Sequence, residues 1–545
     1  MKLSRRALLG LGLGATQLAL LERFGLNRAK AGPAPGGPTK LLSIWIPGGM
    51  HHELVWCPLS AAGIAKYIPA PAGGAEPYFY NAKMVKNYDG TTGGDGPYQK
   101  FRGPIWWNPQ NPAMNGAYDA NSDNPDSDGT QKYVPWGYSW ASKDLTTKAV
   151  FERAVMMHGI DQGTAAHGSG IIASLSGVAG GDFRSPAIAA VVANAMMSRF
   201  PDRPIPSVSI GGLNPKVAAG TAIPISSAAN PVFLDSVAGL TYSLSESPDS
   251  AWAGLRDRHD IDDLAFDGTK TGQKLPATVL DEQMLRATRA LKGQSSTGTD
   301  KLLEGLYDTY RGVSRTLARD VVDIIGKTKG VEHLPDKMPW APNSGRFGYV
   351  IGYADGGSTS YWDGMFDLSL RLLKSDLVTS LTLRVSGANN FAFDTHDPPA
   401  HLPHVNNLRG TLEVLGRLFL EMMMTPGTTQ PGKSLLDETQ VHIFSDFGRT
   451  FAHQGSDHHP ATSVTLIGGN VHGNRMIGGY DETMDGSPLG VPVDIIEIEE
   501  KSKSTIKRMP TAADAAATVM RCFGLEAGTD FFIPGGYGEI AGVLD

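Results

Sequence analysis

Cysteine is almost absent from this chain. Only Cys57 and Cys522 occur in 545 residues, which excludes a cysteine-rich disulfide scaffold and a thiolate metal centre. The two thiols can pair in an oxidising compartment or stay apart as buried side chains; their spacing in sequence does not decide. Long apolar runs are also missing. Beyond the N-terminal segment no stretch supplies the roughly 20 continuous apolar residues needed to span a bilayer, so no transmembrane helix is expected in the mature chain. No lysine or arginine cluster stands beside spaced aromatics, and a net charge of -7 is mild for this length, which argues against a nucleic-acid partner. A redox class finds no haem motif or dinucleotide fingerprint to support it. Glycine and proline, by contrast, are plentiful, at 66 and 36 residues. Much of the mass is therefore expected in loops and insertions around an α/β sheet, which the length accommodates as one elaborated domain or two.

The first residues, Met1-Lys2-Leu3-Ser4-Arg5-Arg6, are basic and are followed at once by the apolar, glycine-rich run Ala7 to Ala15. That is the n-region and h-region of an export signal. The paired Arg5 and Arg6 resemble the twin-arginine signal, and the small residues of Ala29-Lys30-Ala31 before Gly32-Pro33 resemble a processing site. Residues 1–31 are expected to be a signal peptide and 32–545 the exported domain. The resemblance implies passage in the folded state through the twin-arginine export machinery to the periplasm, the cell surface or beyond. An N-terminal amphipathic helix fits less well, because the glycines would weaken it.

Further along, Leu41 to Ile46 forms an apolar run ended by Pro47-Gly48-Gly49, a buried strand entering a loop. That loop carries Met50-His51-His52-Glu53, where open α/β sheets bind ligands. Residues from about 60 to 145 form an irregular insertion rich in Trp, Asn, Asp and Gly. Its centre, Asp119 to Gly129, is dense in the oxygen ligands calcium prefers, yet it lacks the glycine and terminal glutamate of a helix-loop-helix calcium loop. A bound calcium and a solvated loop both remain readings of it. A second strand ends near Met157-His158-Gly159, followed by Gly163-Thr164-Ala165-Ala166-His167-Gly168-Ser169-Gly170 and an apolar helix start. Strand, polar loop and helix can present a hydroxyl beside backbone N–H groups, which makes Ser169 the nucleophile candidate and His167 its neighbour. Residues 277–330 read as a helical insertion, and the glycine-rich stretch from Gly345 to Asp363 as a loop.

Most of the chemical signal falls between residues 380 and 482. The alternating run Leu381 to Val385 leads to Asp394-Thr395-His396, and an Asp and a His two apart at a strand end can bind a divalent cation or pair as base and orienting carboxylate. Apolar residues from Leu402 to Met422 then recur at helical spacing, so a long amphipathic helix packs on the sheet with its methionines in the core. Next, Thr439 to Ser445 reads as a central strand delivering Asp446-Phe447-Gly448-Arg449. Asp446 and Arg449 there can hold a cation and a substrate anion, or can salt-bridge each other and brace the loop. Asp457-His458-His459 adds a third polar knot before the strand Ser463 to Ile467.

Gly48-Gly49-Met50, Phe393-Asp394-Thr395-His396, Ser445-Asp446-Phe447-Gly448-Arg449-Thr450, Gly455-Ser456-Asp457-His458 and Leu466-Ile467-Gly468-Gly469 together resemble a large family of exported bacterial proteins placed in the alkaline phosphatase and sulfatase superfamily. Pro510 to Thr518 resembles that family's closing helix. The resemblance implies an alkaline phosphatase-like mixed central sheet flanked by helices, with large loop insertions. It also implies a divalent metal, zinc, calcium, magnesium or manganese, held by Asp394, His396, Asp446, Asp457 and His458, with His51 standing where the superfamily offers an aspartate. The superfamily's Asp-His metal pair reads Asp446-Phe447 here, and Cys57-Pro58-Leu59-Ser60 lacks the arginine of a sulfatase signature. The expected activity is metal-dependent hydrolysis of a phosphate or sulfate ester, with Ser169, His167 and Arg449 as catalytic groups and an anionic ester or glycan-like substrate. The alternative is a non-catalytic envelope protein binding a glycan, an anion or a protein partner on the same fold.

Overall fold

The computed structural model describes residues 37–67, 86–87, 102–103, 140, 150–179, 186–210, 232–234, 324–336, 359–385, 393–396, 401–451, 457–498, 503–526, 530–533 and 536–544, single positions and short pairs within these ranges aside. The expected signal peptide, the calcium-like loop, most of both insertions and Cys57 lie outside the described residues.

Among those residues the fold is α/β, a mixed sheet of eight strands with helices on both faces. Strand β1 (Lys40–Ile46) is wholly buried and lies in the middle. It runs parallel to β7 (Val378–Arg384) on one side and β8 (Thr439–Ser445) on the other. Beyond β7 lie β5 (Ile205–Ile210) and β6 (Val232–Leu234), also parallel. Beyond β8 come β11 (Ala461–Ile467), β4 (Ala154–Asp161) and β12 (Arg475–Ile477). In this order β11 alone runs against the rest, antiparallel to both β8 and β4. Outside the main sheet, β2 (Lys86–Asn87) pairs with β3 (Arg102–Gly103), β9 (Gly448–Arg449) with β10 (His458–His459), and β13 (Val493–Ile498) with β14 (Lys503–Arg508) and β15 (Gly538–Ile540).

Alternation along β1 shows why the sheet is covered twice. Leu42, Ile44 and Ile46 enter one apolar core, while Leu41 and Trp45 enter the other, because successive side chains of a strand point to opposite faces. The short helix α1 (Ala61–Tyr67) lends Tyr67 to the first core. On the second face sit α2 (His167–Ser176), α3 (Ile188–Met196) and α6 (Ala512–Cys522). The first face is covered by α4 (Thr359–Lys374) and α5 (His401–Met424). Met422 and Met423 of α5 are core residues, as their spacing predicts. Helix α4 starts inside the stretch read from sequence as a glycine-rich loop; Met365, Phe366, Leu370 and Leu373 bury one face of it and override the local glycines. Cys522 closes α6 as a free, buried thiol whose Sγ contacts the Thr518 carbonyl. None of the described helices is long and apolar enough to cross a membrane.

The parallel direction of β1, β7 and β8 gathers their first residues at one edge, where a charge network closes. Lys40 Nζ lies 2.9 Å from Asp376 and 3.4 Å from Glu438. Arg203 binds the same Asp376 at 2.7 Å and the Thr39 carbonyl at 2.6 Å. Glu438 also accepts the backbone N–H groups of Thr428 and Thr429, each at 2.8 Å. Midway along β8, His442 stacks on Phe444 with ring centroids 4.7 Å apart, and burial pushes its pKa down to about 3.

Candidate metal centre

The opposite edge collects the carboxyl ends of β1, β4, β7 and β8, and because β11 runs backwards it also collects the residues just before β11. The chain therefore brings to one place the loop after β1, the start of α2 after β4, Asp394 to His396 after β7, Asp446 after β8 and His458 ahead of β11. Close approach depends on two glycines. A Cβ on Gly170 would lie 2.2 Å from the Asp446 carbonyl oxygen, so only glycine lets α2 sit against the end of β8. Gly48 has φ +101°, and a Cβ there would lie 2.6 Å from Asp394 N.

Three ligand atoms meet at this edge, one each from His167, Asp394 and His458, all within 4.8 Å of one another. The hydrogen bonds on the far side of each ring say which nitrogen faces inward. His167 Nδ1 donates to Asp446 Oδ2 at 2.7 Å, and that carboxylate also accepts from Trp45 Nε1 at 2.5 Å and Gly48 N at 3.2 Å. His458 Nδ1 donates to the Ala165 carbonyl at 2.8 Å. In a neutral imidazole whose Nδ1 carries the proton, Nε2 carries the lone pair. Both Nε2 atoms point at Asp394, His167 at 3.4 Å from Oδ2 and His458 at 3.3 Å from Oδ1. Lone pairs facing a carboxylate call for positive charge between them. Outer partners that fix the tautomer in this way are what metal-bound histidines use. The charge balance agrees: Arg449 alone faces the three carboxylates Asp394, Asp446 and Asp457, an excess of negative charge that a divalent cation would offset. The donor set, two imidazoles and one carboxylate, fits such an ion.

Asp394 is the hub. Burial raises its pKa, but the hydrogen bond and the charge of Arg449 outweigh that and hold it at about 2. His167 is pushed up, chiefly by its hydrogen bond to Asp446.

Of the residues expected to hold a metal, Asp394 and His458 supply ligand atoms to this cluster, and His167, expected to be catalytic, supplies the third. Asp446 stands behind His167 as its orienting carboxylate. His396 Nε2 lies 2.9 Å from Asp394 Oδ1, and Asp457 lies 3.6 Å from His396 Nδ1; neither belongs to the three that share a point. His51 is buried beneath the edge, its Nδ1 2.8 Å from Glu53. Arg449 is buried too, and its guanidinium donates to the Gly48 and Thr395 carbonyls and to Asp394 Oδ1 at 2.5 Å. It clips the β1 loop to the β7 loop. Ser169 Oγ lies 2.7 Å from Thr164 Oγ1 and 3.3 Å from the Ala166 carbonyl, bracing the first turn of α2. Sequence reasoning missed Trp45 as a donor to Asp446 and the Ala165 carbonyl as the partner of His458. Neither carries a motif; both follow only from the register of β1 against β8 and the turn before α2.

Fold and site together define an α/β protein with a candidate cation centre at the carboxyl edge of a mixed sheet. Residues 140–490, well over half of the chain, match the family described as "Protein of unknown function (DUF1501)", and the chain belongs to that family. His167, Asp394 and His458 all fall within the matched span, whereas the Gly48-Gly49 loop precedes it. No curated protein matches the chain at a significant level.

Proposed function

We propose that this chain is an exported, metal-dependent hydrolase of phosphate or sulfate esters, built on an alkaline phosphatase-like fold and working in the periplasm or at the cell surface. The observation that carries the reading is the convergence of the His167 and His458 Nε2 atoms on the Asp394 carboxylate, with each Nδ1 engaged on the far side of its ring. These three residues would hold the ion; two imidazoles with a carboxylate suit zinc better than calcium, magnesium or manganese, which favour oxygen ligands. A cation held there would polarise a phosphoryl or sulfuryl oxygen and stabilise charge built up in ester cleavage. The chain's own part is placement: Asp446 and Ala165 fix the two rings, and Arg449 fixes Asp394. The N-terminal Arg5-Arg6 signal supports export through the twin-arginine machinery, and the substrate class is an anionic ester or glycan-like molecule.

The test is hydrolysis of aryl phosphate and aryl sulfate esters by the mature protein after loading with zinc or manganese, beside His167→Ala. Metal-dependent turnover that the variant lacks is expected; metal binding without turnover of either ester class would refute the hydrolase assignment. A second reading, a non-catalytic envelope binding protein, draws support from Ser169 and Arg449, whose polar atoms are engaged within the protein.

A further inference from the structure

Thr395 follows the site residue Asp394 in the chain, and hydrogen bonds to three described residues help hold it. Its N–H donates to the Phe393 carbonyl at 3.0 Å, its carbonyl accepts from Arg449 Nη1 at 3.1 Å, and its hydroxyl lies 3.0 Å from His404 Nδ1. His404 sits in the first turn of α5 and is completely buried. The backbone N–H of His51 donates to His404 Nε2 at 3.2 Å. That nitrogen therefore holds the lone pair and Nδ1 the proton, so the hydrogen bond to Thr395 runs from imidazole to hydroxyl. The ring is packed edge-on between His51, with centroids 4.6 Å apart, and Phe393, at 5.4 Å. One neutral imidazole thus ties the loop after β1 to the loop after β7.

We infer that His404, acting through Thr395, is a positioning residue for the metal centre: it sets where the Asp394 carboxylate stands relative to His167 and His458. The inference rests on the metal-centre reading above. The Asp394 side chain is 46% exposed, so directed polar contacts of the side chain and its backbone set its position. Arg449 grips the carboxylate and the Thr395 carbonyl; His404 grips the Thr395 side chain independently. His404 itself touches neither the cation nor a substrate.

The test is zinc affinity of the mature protein, measured by competition with a chromophoric chelator at a temperature where circular dichroism shows every variant folded. Thr395→Val keeps the shape and removes the hydroxyl; Thr395→Ser keeps the hydroxyl; Thr395→Ala repeats the loss with a smaller side chain. Valine and alanine are expected to weaken zinc binding about tenfold, the lower end of what outer-shell partners contribute, and serine to restore it. A purely structural contact would lower the unfolding temperature of the metal-free protein and leave zinc affinity of the folded protein unchanged, which would overturn the inference. So would equal loss in Ser and Val. Absence of zinc binding by the unsubstituted protein would instead overturn the metal-centre reading itself, so the two failures are distinguishable.

Discussion

The two edges of the sheet draw on the same kinds of residue and use them in opposite ways. At the amino edge, Lys40 and Arg203 meet Asp376 and Glu438, cation against anion, and Glu438 is further satisfied by backbone N–H groups. At the carboxyl edge, two imidazole lone pairs and a carboxylate face one another across an interval an ion would fit. At the amino edge the charges are matched and the network is a structural device, whereas at the carboxyl edge the one guanidinium of Arg449 faces three carboxylates, Asp394, Asp446 and Asp457, beside imidazoles that can ligate a cation. The difference teaches that density of charged residues does not by itself mark function; how their charges are balanced does.

The comparison breaks most visibly at Lys40. Lys40→Met removes the cation beside the buried Glu438, while Arg203 still holds Asp376, and stability is expected to fall by about 3 kcal/mol, the lower end of what breaking a buried pair costs, while zinc affinity stays the same. Denaturant unfolding with a parallel metal titration checks both halves. His442, halfway between the edges, sharpens it through pH. The unfolded imidazole takes up a proton below about pH 6.5, and the folded one resists until about 3. Stability is therefore lost as pH falls through that window, by about 2–3 kcal/mol at pH 4.5. His442→Phe is expected to flatten this acid limb in unfolding experiments at pH 7 and pH 4.5. At the carboxyl edge, Gly170→Ala drives a methyl into the Asp446 carbonyl and is expected to cost about 1–3 kcal/mol, with metal affinity lost as α2 moves His167 away. Asp446→Asn should leave the fold intact and weaken zinc binding about 10- to 100-fold, read by chelator competition. The smallest effect is expected from Ser169→Ala, which removes one hydroxyl brace from α2, worth about 1 kcal/mol. Loss of ester turnover in that variant would instead show that Ser169 leaves Thr164 to act on substrate.

Several strands and the long helix were legible in the sequence because their apolar periods are clear: β1, β7, β8, β11 and α5 all fall where the pattern places them. So was the crowding of Asp and His at strand ends. What was illegible is pairing over long separations. His167 lies 227 positions before Asp394, and only the antiparallel direction of β11 carries His458 to the edge where β4 ends. Strand direction depends on which neighbour each strand finds, and that information is spread over the whole chain. Arg449 reads in sequence either as an anion clamp or as a brace paired with Asp446, because Asp-x-x-Arg at a strand end allows both. Burial beneath the Gly48 and Thr395 carbonyls, visible only in three dimensions, makes it a clip between loops instead. The glycines of His-Gly-Ser-Gly, read as a mark of a hydroxyl presented at a turn, gain a different reason at Gly170: contact of helix with strand end.

The most direct test of the central claim is the tightly bound metal content of the mature protein, compared with a His167→Ala, His458→Ala double variant by elemental analysis. One divalent ion per chain, absent from the variant, is the result expected from the inward-facing Nε2 atoms. No bound metal in either protein, with both equally folded, would contradict the account and leave the Asp394 cluster as a proton-bridged brace of the sheet's edge.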